Sequence, residues 1–358
     1  MTVDEDVRAA STLPAAVYTD PDLYSAQIER AFAPAWHLAP APPAAPRAAE
    51  PWTLMPGSLD EPLVWTRDEN GGLHCLSNVC THRAARVVDR VSCGPVLRCR
   101  YHGRRFTLDG RFLSMPEFET ASGFPAPSDD LLSLATGRWG PLTFVTLGAD
   151  VAFDEWIGPV RARIDALGPE TWQPDAEAAR DYDVRAHWAL YCDNYLEGFH
   201  IPFVHQALAA AIEYGSYRTE TWPHGSLQIA IAREGEPAFD LPAGHPDFGE
   251  RIAGYYVWLF PNLMLNFYPW GLSVNVVEPV AIDRTRVRFL CWVADAAFRG
   301  RGAGGDLHGV ELEDEEVVES VQIGVRSRLY DRGRFSPTRE TGVHHFHRIL
   351  ARTLGSSG

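Results

Sequence analysis

The chain contains no lysine: all 32 of its basic residues are arginine, in a sequence of 358 residues. Without a lysine amine there is no Schiff base to a carbonyl substrate, no pyridoxal anchor and no phosphate-loop cation. Aldolase, aminotransferase and ordinary nucleoside-triphosphatase chemistries are therefore excluded. Codon bias in a GC-rich genome accounts for the absence itself. Positive charge is also short, with 47 acidic residues giving a net charge of −15. That balance argues against nucleic-acid or anionic-membrane partners, because both demand a basic surface. No run of 18 apolar residues occurs, and the opening Met1-Thr2-Val3-Asp4-Glu5-Asp6 is acidic where a secretory signal would be basic and then apolar. These absences lead to the expectation of a cytoplasmic chain. Cysteine is sparse, at Cys75, Cys80, Cys93, Cys99, Cys192 and Cys291; a reducing compartment leaves such residues as thiols or metal ligands.

From Asp20 to Trp36, Leu23, Ile28, Ala31, Phe32 and Trp36 recur at helical spacing behind an Asp-Pro start, which predicts a helix. The alanine- and proline-rich stretch from Ala39 to Pro46 suits an extended connector. Between Trp52 and about Leu147 the pattern changes to short β-rich pieces separated by Gly, Pro, Asp and Asn turns. Beyond it, Trp156 to Leu167, Tyr191 to Phe199 and Asp314 to Tyr330 read as helices, and Arg251 to Val280 as strands. The expected organisation is an N-terminal helical segment (1–37), a small all-β domain (38–148) and a mixed α+β domain (149–358).

Two constellations carry chemistry. Cys80-Thr81-His82 and Cys99-Arg100-Tyr101-His102 each couple one thiolate to one imidazole. Such a set can hold a tetrahedral zinc, but each half here sits on a short β-turn, where a zinc finger places a Cys pair before a helix bearing a His pair. The alternative is a Rieske [2Fe–2S] centre, with two cysteines on one iron and two histidines on the other. The flanking residues, Arg83-Ala84-Ala85 after the first half and Gly103, Phe106 and Gly110 after the second, are similar to the two Rieske loops. The second constellation is His200-Ile201-Pro202-Phe203-Val204-His205. On a regular helix its histidines would stand about 140° apart, but Pro202 cannot continue a helix, so His205 is predicted to return toward His200 from a bend. A third, carboxylate donor would complete the facial triad of a non-haem Fe(II) oxygenase. The acidic run from Glu311 to Glu319 offers candidates, although by composition alone it reads as a solvated helix face.

Together, and in this order along nearly the whole chain, the motifs resemble the α subunits of Rieske non-haem iron oxygenases, a ring-hydroxylating oxygenase family. Cys192-Asp-Asn-Tyr-Leu-Glu197, Pro261-Asn-Leu-Met-Leu-Asn266-Phe-Tyr268-Pro-Trp270 and His344-His345-Phe346-His347 are most like its quaternary-amine branch, the choline monooxygenases among them. The resemblance implies an α+β chain with a small all-β Rieske domain inserted before a helix-grip-like α+β catalytic domain with an antiparallel sheet. It implies a [2Fe–2S] cluster on Cys80, His82, Cys99 and His102. It further implies a mononuclear Fe(II) on His200, His205 and Asp314, with Glu315 and Glu316 as alternatives, and Glu197 as the acidic bridge between a Rieske histidine and an iron-ligand histidine. Electrons would come from NAD(P)H only indirectly, through a separate reductase or ferredoxin, and a head-to-tail homotrimer would bring one subunit's cluster beside the next subunit's iron. The activity implied is insertion of oxygen from O2 into a small organic substrate: hydroxylation, cis-dihydroxylation or oxidative demethylation. An aromatic ring-hydroxylating dioxygenase α subunit is the alternative within the family, and a Rieske electron carrier or redox sensor the alternative of another class. A carrier needs only the small β domain, whereas some 200 residues follow that domain and contain the histidine pair and the acidic segment, which favours an oxygenase.

For a quaternary ammonium substrate, Tyr255, Tyr256, Trp258, Phe267, Tyr268 and Trp270 could form an aromatic cage; alternate residues of the same strands are expected to pack the core. His344, His345 and His347 are expected to serve packing, since adjacent helical residues point about 100° apart. Arg104 stands where most family members have tryptophan. Residues 83–111 hold eight arginines against two aspartates, +6 where the remainder carries −21, and this patch is expected to dock an acidic electron donor.

Overall fold

The computed structural model describes residues 1–355, which fall into two compact units, Ala33–Asp150 and Met1–Phe32 with Val151–Gly358. In the first, β1 (Trp36–Leu38), β2 (Ala48–Leu54), β3 (Glu61–Arg67), β4 (Leu73–Ser77), β5 (Ser92–Cys93), β9 (Ser133–Trp139) and β10 (Leu142–Thr146) form an antiparallel sheet in the order β1-β10-β9-β4-β3-β2-β5. A smaller sheet joins β6 (Leu97–Arg98), β7 (Arg105–Phe106) and β8 (Phe112–Ser114). The unit starts at Ala33 because the helix expected over Asp20–Trp36 stops early. It is α1 (Pro21–Gln27), capped by the Asp20 carboxylate and extended only by a π turn over Ile28–Phe32; Trp36 already pairs with Thr146 in the sheet. Pro34, lacking an N–H and disfavouring helical backbone at Ala33, explains the change.

The second unit is built on β11 (Gln173–Val184), β12 (Arg218–Trp222), β13 (Gly225–Ile231), β14 (Ile252–Leu259), β15 (Leu263–Tyr268), β16 (Gly271–Ala281) and β17 (Arg284–Val293). These run antiparallel in the order β11-β17-β16-β15-β14-β13-β12. Its helices are α2 (Phe153–Ile164), α3 (Trp188–Tyr195), α4 (Ile201–Val204), α5 (Gln206–Ala211), α6 (Leu307–Gly324) and α7 (Thr341–Gly355). Every residue of β14 and β15 is buried, so polar–apolar alternation is missing and only register assigns the faces. Tyr255 lies opposite Phe267, and Tyr256 opposite Asn266. The β15–β16 turn closes through Gly271 at φ 145°, where a Cβ would collide with the Trp292 carbonyl oxygen.

Two helix boundaries differ from expectation, with consequences for the site. The Asp306 carboxylate accepts the Gly309 N–H at 2.8 Å and starts α6 seven residues before Asp314; it ends at Gly324 instead of Tyr330. α3 ends at Tyr195 instead of Phe199, so Glu197 lies in the segment that follows it. Gly300, Gly302 and Gly305 fall at the spacing of a dinucleotide fingerprint, but they follow an antiparallel strand and form a 3-10 turn over Gly302–Gly304, outside any βαβ unit. Among the described residues no helix is long and apolar enough to cross a membrane.

Candidate metal centres and substrate pocket

The two cysteine loops of the β-rich unit are built alike. The Cys80 N–H donates to the Ala85 carbonyl and the Cys80 carbonyl accepts from Ala84, at 2.8 and 3.0 Å; Cys99 does the same with Arg104 and Gly103, at 2.8 and 3.1 Å. Each loop needs left-handed backbone four residues after its cysteine, supplied by Ala84 (φ 56°) and Gly103 (φ 76°). The loops hold both cysteines in a core with Val64, Leu76 and Phe106, while His82 and His102 approach the surface with ring centroids 4.8 Å apart. Burial, with His102, Arg104 and Arg83 nearby, lowers the His82 pKa and so favours the neutral imidazole, the form that ligates metal. Two adjoining thiols inside and two imidazoles outside suit the donor set of a Rieske cluster.

Arg104 is not a surface residue. It is 2% exposed, pairs with Asp129 at 2.6 Å, and lies over the rings of Phe112, Phe124 and Phe106 at 4.9–5.7 Å. It therefore leaves the expected docking patch, whose other seven arginines are exposed.

In the second unit α4 is a single turn, with His200 capping its start and His205 its end, so the two rings converge to 5.0 Å between centroids. His205 Nε2 stands 2.9 Å and His200 Nε2 3.5 Å from Asp314 Oδ1 on α6. One donor atom from each of the three lies within 4.8 Å of the others. The remaining ring nitrogens are tied to carboxylates: His200 Nδ1 to Glu197 at 2.6 Å and His205 Nδ1 to Glu313 at 2.7 Å. Asn194 Nδ2 donates to Asp314 Oδ1 at 2.9 Å. Those bonds turn both Nε2 atoms inward, the orientation that a two-histidine, one-carboxylate metal site requires. Burial opposes protonation of His205, but Asp314 and Glu313 outweigh it and raise its pKa; the same field favours a divalent cation. Glu315 and Glu316 take no part in the triad. Sequence reasoning missed Asn194 and the role of Glu313, whose one signal was its position beside Asp314.

The triad borders a cavity of about 100 Å3 lined by Tyr195, Tyr217, Tyr256 and Tyr268, with Gln228, Asn266, Asn275 and Glu311. Of the expected cage, Tyr256 and Tyr268 are there. Tyr255 and Phe267 occupy the opposite face of the sheet, where Tyr255 donates to Asp247 at 2.7 Å and Phe267 meets Trp172. Trp258 packs against Phe346 of α7 instead of lining the cavity. Trp270 stacks behind Tyr268 and lines a second cavity of about 270 Å3, with Arg180, Arg299 and His308, which shares Phe289 and Leu307 with the first. His347 bonds Asp193 and the Leu13 N–H, and His344 and His345 bond backbone carbonyls, so all three serve packing.

Residues 55–125 match the model of the Rieske [2Fe-2S] domain, and residues 170–356 that of the ring hydroxylating alpha subunit catalytic domain. Choline monooxygenase of Arabidopsis thaliana is 29% identical over 96% of this chain and 83% of its own length; the carnitine monooxygenase oxygenase subunit of Escherichia coli K12 is 25% identical over 96% and 94%. The solved quaternary ammonium Rieske monooxygenase CntA superposes with a TM-score of 0.76 at 21% identity over 99% of both chains. Naphthalene 1,2-dioxygenase from Rhodococcus gives 0.73 at 18% over 97% and 95%. The twin cysteine–histidine loops and the histidine–aspartate triad thus occur in a chain that belongs to the ring-hydroxylating α-subunit family, the Rieske non-haem iron oxygenases.

Proposed function

We propose that this oxygenase hydroxylates or oxidatively demethylates a small quaternary amine, on an iron held by His200, His205 and Asp314 and fed by a cluster on Cys80, His82, Cys99 and His102. The observation that carries the substrate class is the small tyrosine-walled cavity beside the triad. Tyr195, Tyr217, Tyr256 and Tyr268 line it, and no arginine does. Tyr217 and Tyr256 stack 6.4 Å apart and Tyr268 meets Tyr256 edge-on at 5.8 Å, presenting ring faces of the kind that attract alkylammonium groups. Relatives named for choline and carnitine oxidation agree with that chemistry.

When bound, the metals supply single-electron delivery and O2 activation, with electrons from a separate reductase or ferredoxin. The protein residues do the positioning. Glu197 and Glu313 fix the two imidazoles, Asn194 fixes Asp314, and the phenols of Tyr195 and Tyr217 stay neutral because burial raises their pKa. The reading includes a homotrimer in which Glu197 also accepts a hydrogen bond from His102 of the partner subunit; the exposed Phe199 and Phe203 beside Glu197 offer apolar surface for such an interface. It also places the enzyme in the cytoplasm, where its free cysteines stay reduced. The test is a screen of choline, glycine betaine, carnitine and aromatic acids with a surrogate reductase, read by product mass. Turnover confined to aromatic acids would overturn the substrate class, and turnover retained by His200→Ala, with the cluster spectrum intact, would overturn the iron assignment.

A further inference from the structure

Three carboxylates line the tyrosine pocket, and two are already engaged: Glu197 holds His200, and Asp314 faces both histidines and Asn194. Glu311 is the surplus one. It is 3% exposed; its Oε2 accepts from the Tyr191 hydroxyl at 2.6 Å, and its Oε1 has no hydrogen-bond partner. The Tyr256 hydroxyl, buried in the same wall, is also unpartnered. No arginine lines this cavity, and the chain has no lysine. A carboxylate oxygen shut away from water without a donor is unfavourable unless something else meets it.

We propose that Glu311 is the residue that receives the substrate's cationic head, so that the pocket selects for positive charge. The assignment rests on the quaternary-amine reading above and deepens it. A quaternary ammonium offers no N–H, so it suits a site with a free acceptor oxygen and ring faces, whereas a primary amine would call for hydrogen-bond acceptors arranged around it. The groups that act on the Glu311 carboxyl are Tyr191 from α3 and Asp314 and Glu315 from α6, none of them a cation; Arg180 and His308 gather instead around Tyr182 of β11. Burial pushes the Glu311 carboxyl well up; the Tyr191 hydrogen bond opposes this, and Asp314 and Glu315 add to it. An arriving cation supplies the charge that the empty pocket lacks.

Calorimetric binding to the holoenzyme of choline and of 3,3-dimethylbutan-1-ol, which has the same shape with carbon in place of nitrogen, separates charge from fit. Wild type is expected to prefer choline by about tenfold or more. Glu311→Gln should abolish that preference by weakening choline alone, and Glu311→Asp should restore part of it. Should Glu311→Gln lose the cluster's visible spectrum, Glu311→Met provides the same comparison. A preference for choline that survives both neutral substitutions, or equal weakening of the two ligands, would show a purely structural glutamate and overturn the assignment. A wild type that binds none of choline, glycine betaine and carnitine would instead overturn the substrate reading and take this assignment with it.

Discussion

Within α6 the successive acids Glu313, Asp314, Glu315 and Glu316 point about 100° apart, and the structure gives them different surroundings. Glu313 reaches His205 Nδ1, Asp314 the converging Nε2 atoms, Glu315 is half-buried, and Glu316 is exposed. From the sequence, composition could say only that a carboxylate was available, and resemblance selected Asp314. A helix starting at Asp314 would leave Glu313 outside it; α6 starts at Leu307, seven residues earlier, and so includes both. Glu313→Gln is expected to weaken iron retention by about 10- to 100-fold, the cost typical of losing the group that orients a metal-bound histidine. Iron content after dialysis against a weak chelator measures it, with the cluster spectrum unchanged and Glu316→Gln as the control; wild-type retention would refute the role. The pocket tyrosines were hidden for a related reason. In strands buried on both faces nothing in the polarity pattern separates Tyr255 from Tyr256, and only pairing with Asn266 or Phe267 does so.

α3 is the element that ties the site to the core, and its start carries a pH-dependent feature. His187 caps it, accepting the Ala189 N–H on Nδ1 at 3.1 Å, while its backbone N–H donates to Gln322 of α6 at 2.7 Å. Full burial lowers its pKa to about 3 from the ordinary 6.5. Protonation would place a second donor against the Ala189 N–H. Because the folded value is depressed, the unfolded chain binds the extra proton first, and stability falls as pH drops below 6.5 until the folded value is reached. At pH 5 the loss from this residue is on the order of 2 kcal/mol. Chemical denaturation at pH 7 and pH 5 should show it, and His187→Gln, which keeps an acceptor at the cap, should remove that part of the difference. An unchanged difference in the variant would show that other groups set the acid limit. The sequence carried the existence of α3 but not this cap, since a histidine before a tryptophan has no capping signature.

Across the whole molecule the absence of lysine leaves charge to be read through arginine alone, and the distribution is uneven. Residues 83–111 carry +6 against −21 elsewhere, and in the structure seven of the eight arginines there are exposed while Arg104 is buried against Asp129. Of the exposed ones, Arg86 and Arg100 share Asp89, and Arg111 pairs with Asp109; such surface pairs are weak and readily exchanged for a partner's carboxylates. An acidic electron donor would therefore be steered to the cysteine–histidine loops by this patch. The expected result is a second-order rate of cluster reduction that falls by about tenfold or more between low and high ionic strength. Arg98→Glu or Arg100→Glu should lower that rate further. Arg104→Trp should leave the salt dependence intact, because a buried guanidinium already matched by Asp129 contributes little to a long-range surface field. Stopped-flow reduction by the cognate reductase or ferredoxin measures all of these. A rate indifferent to salt and to Arg100→Glu would mean that the arginines serve contacts between subunits instead.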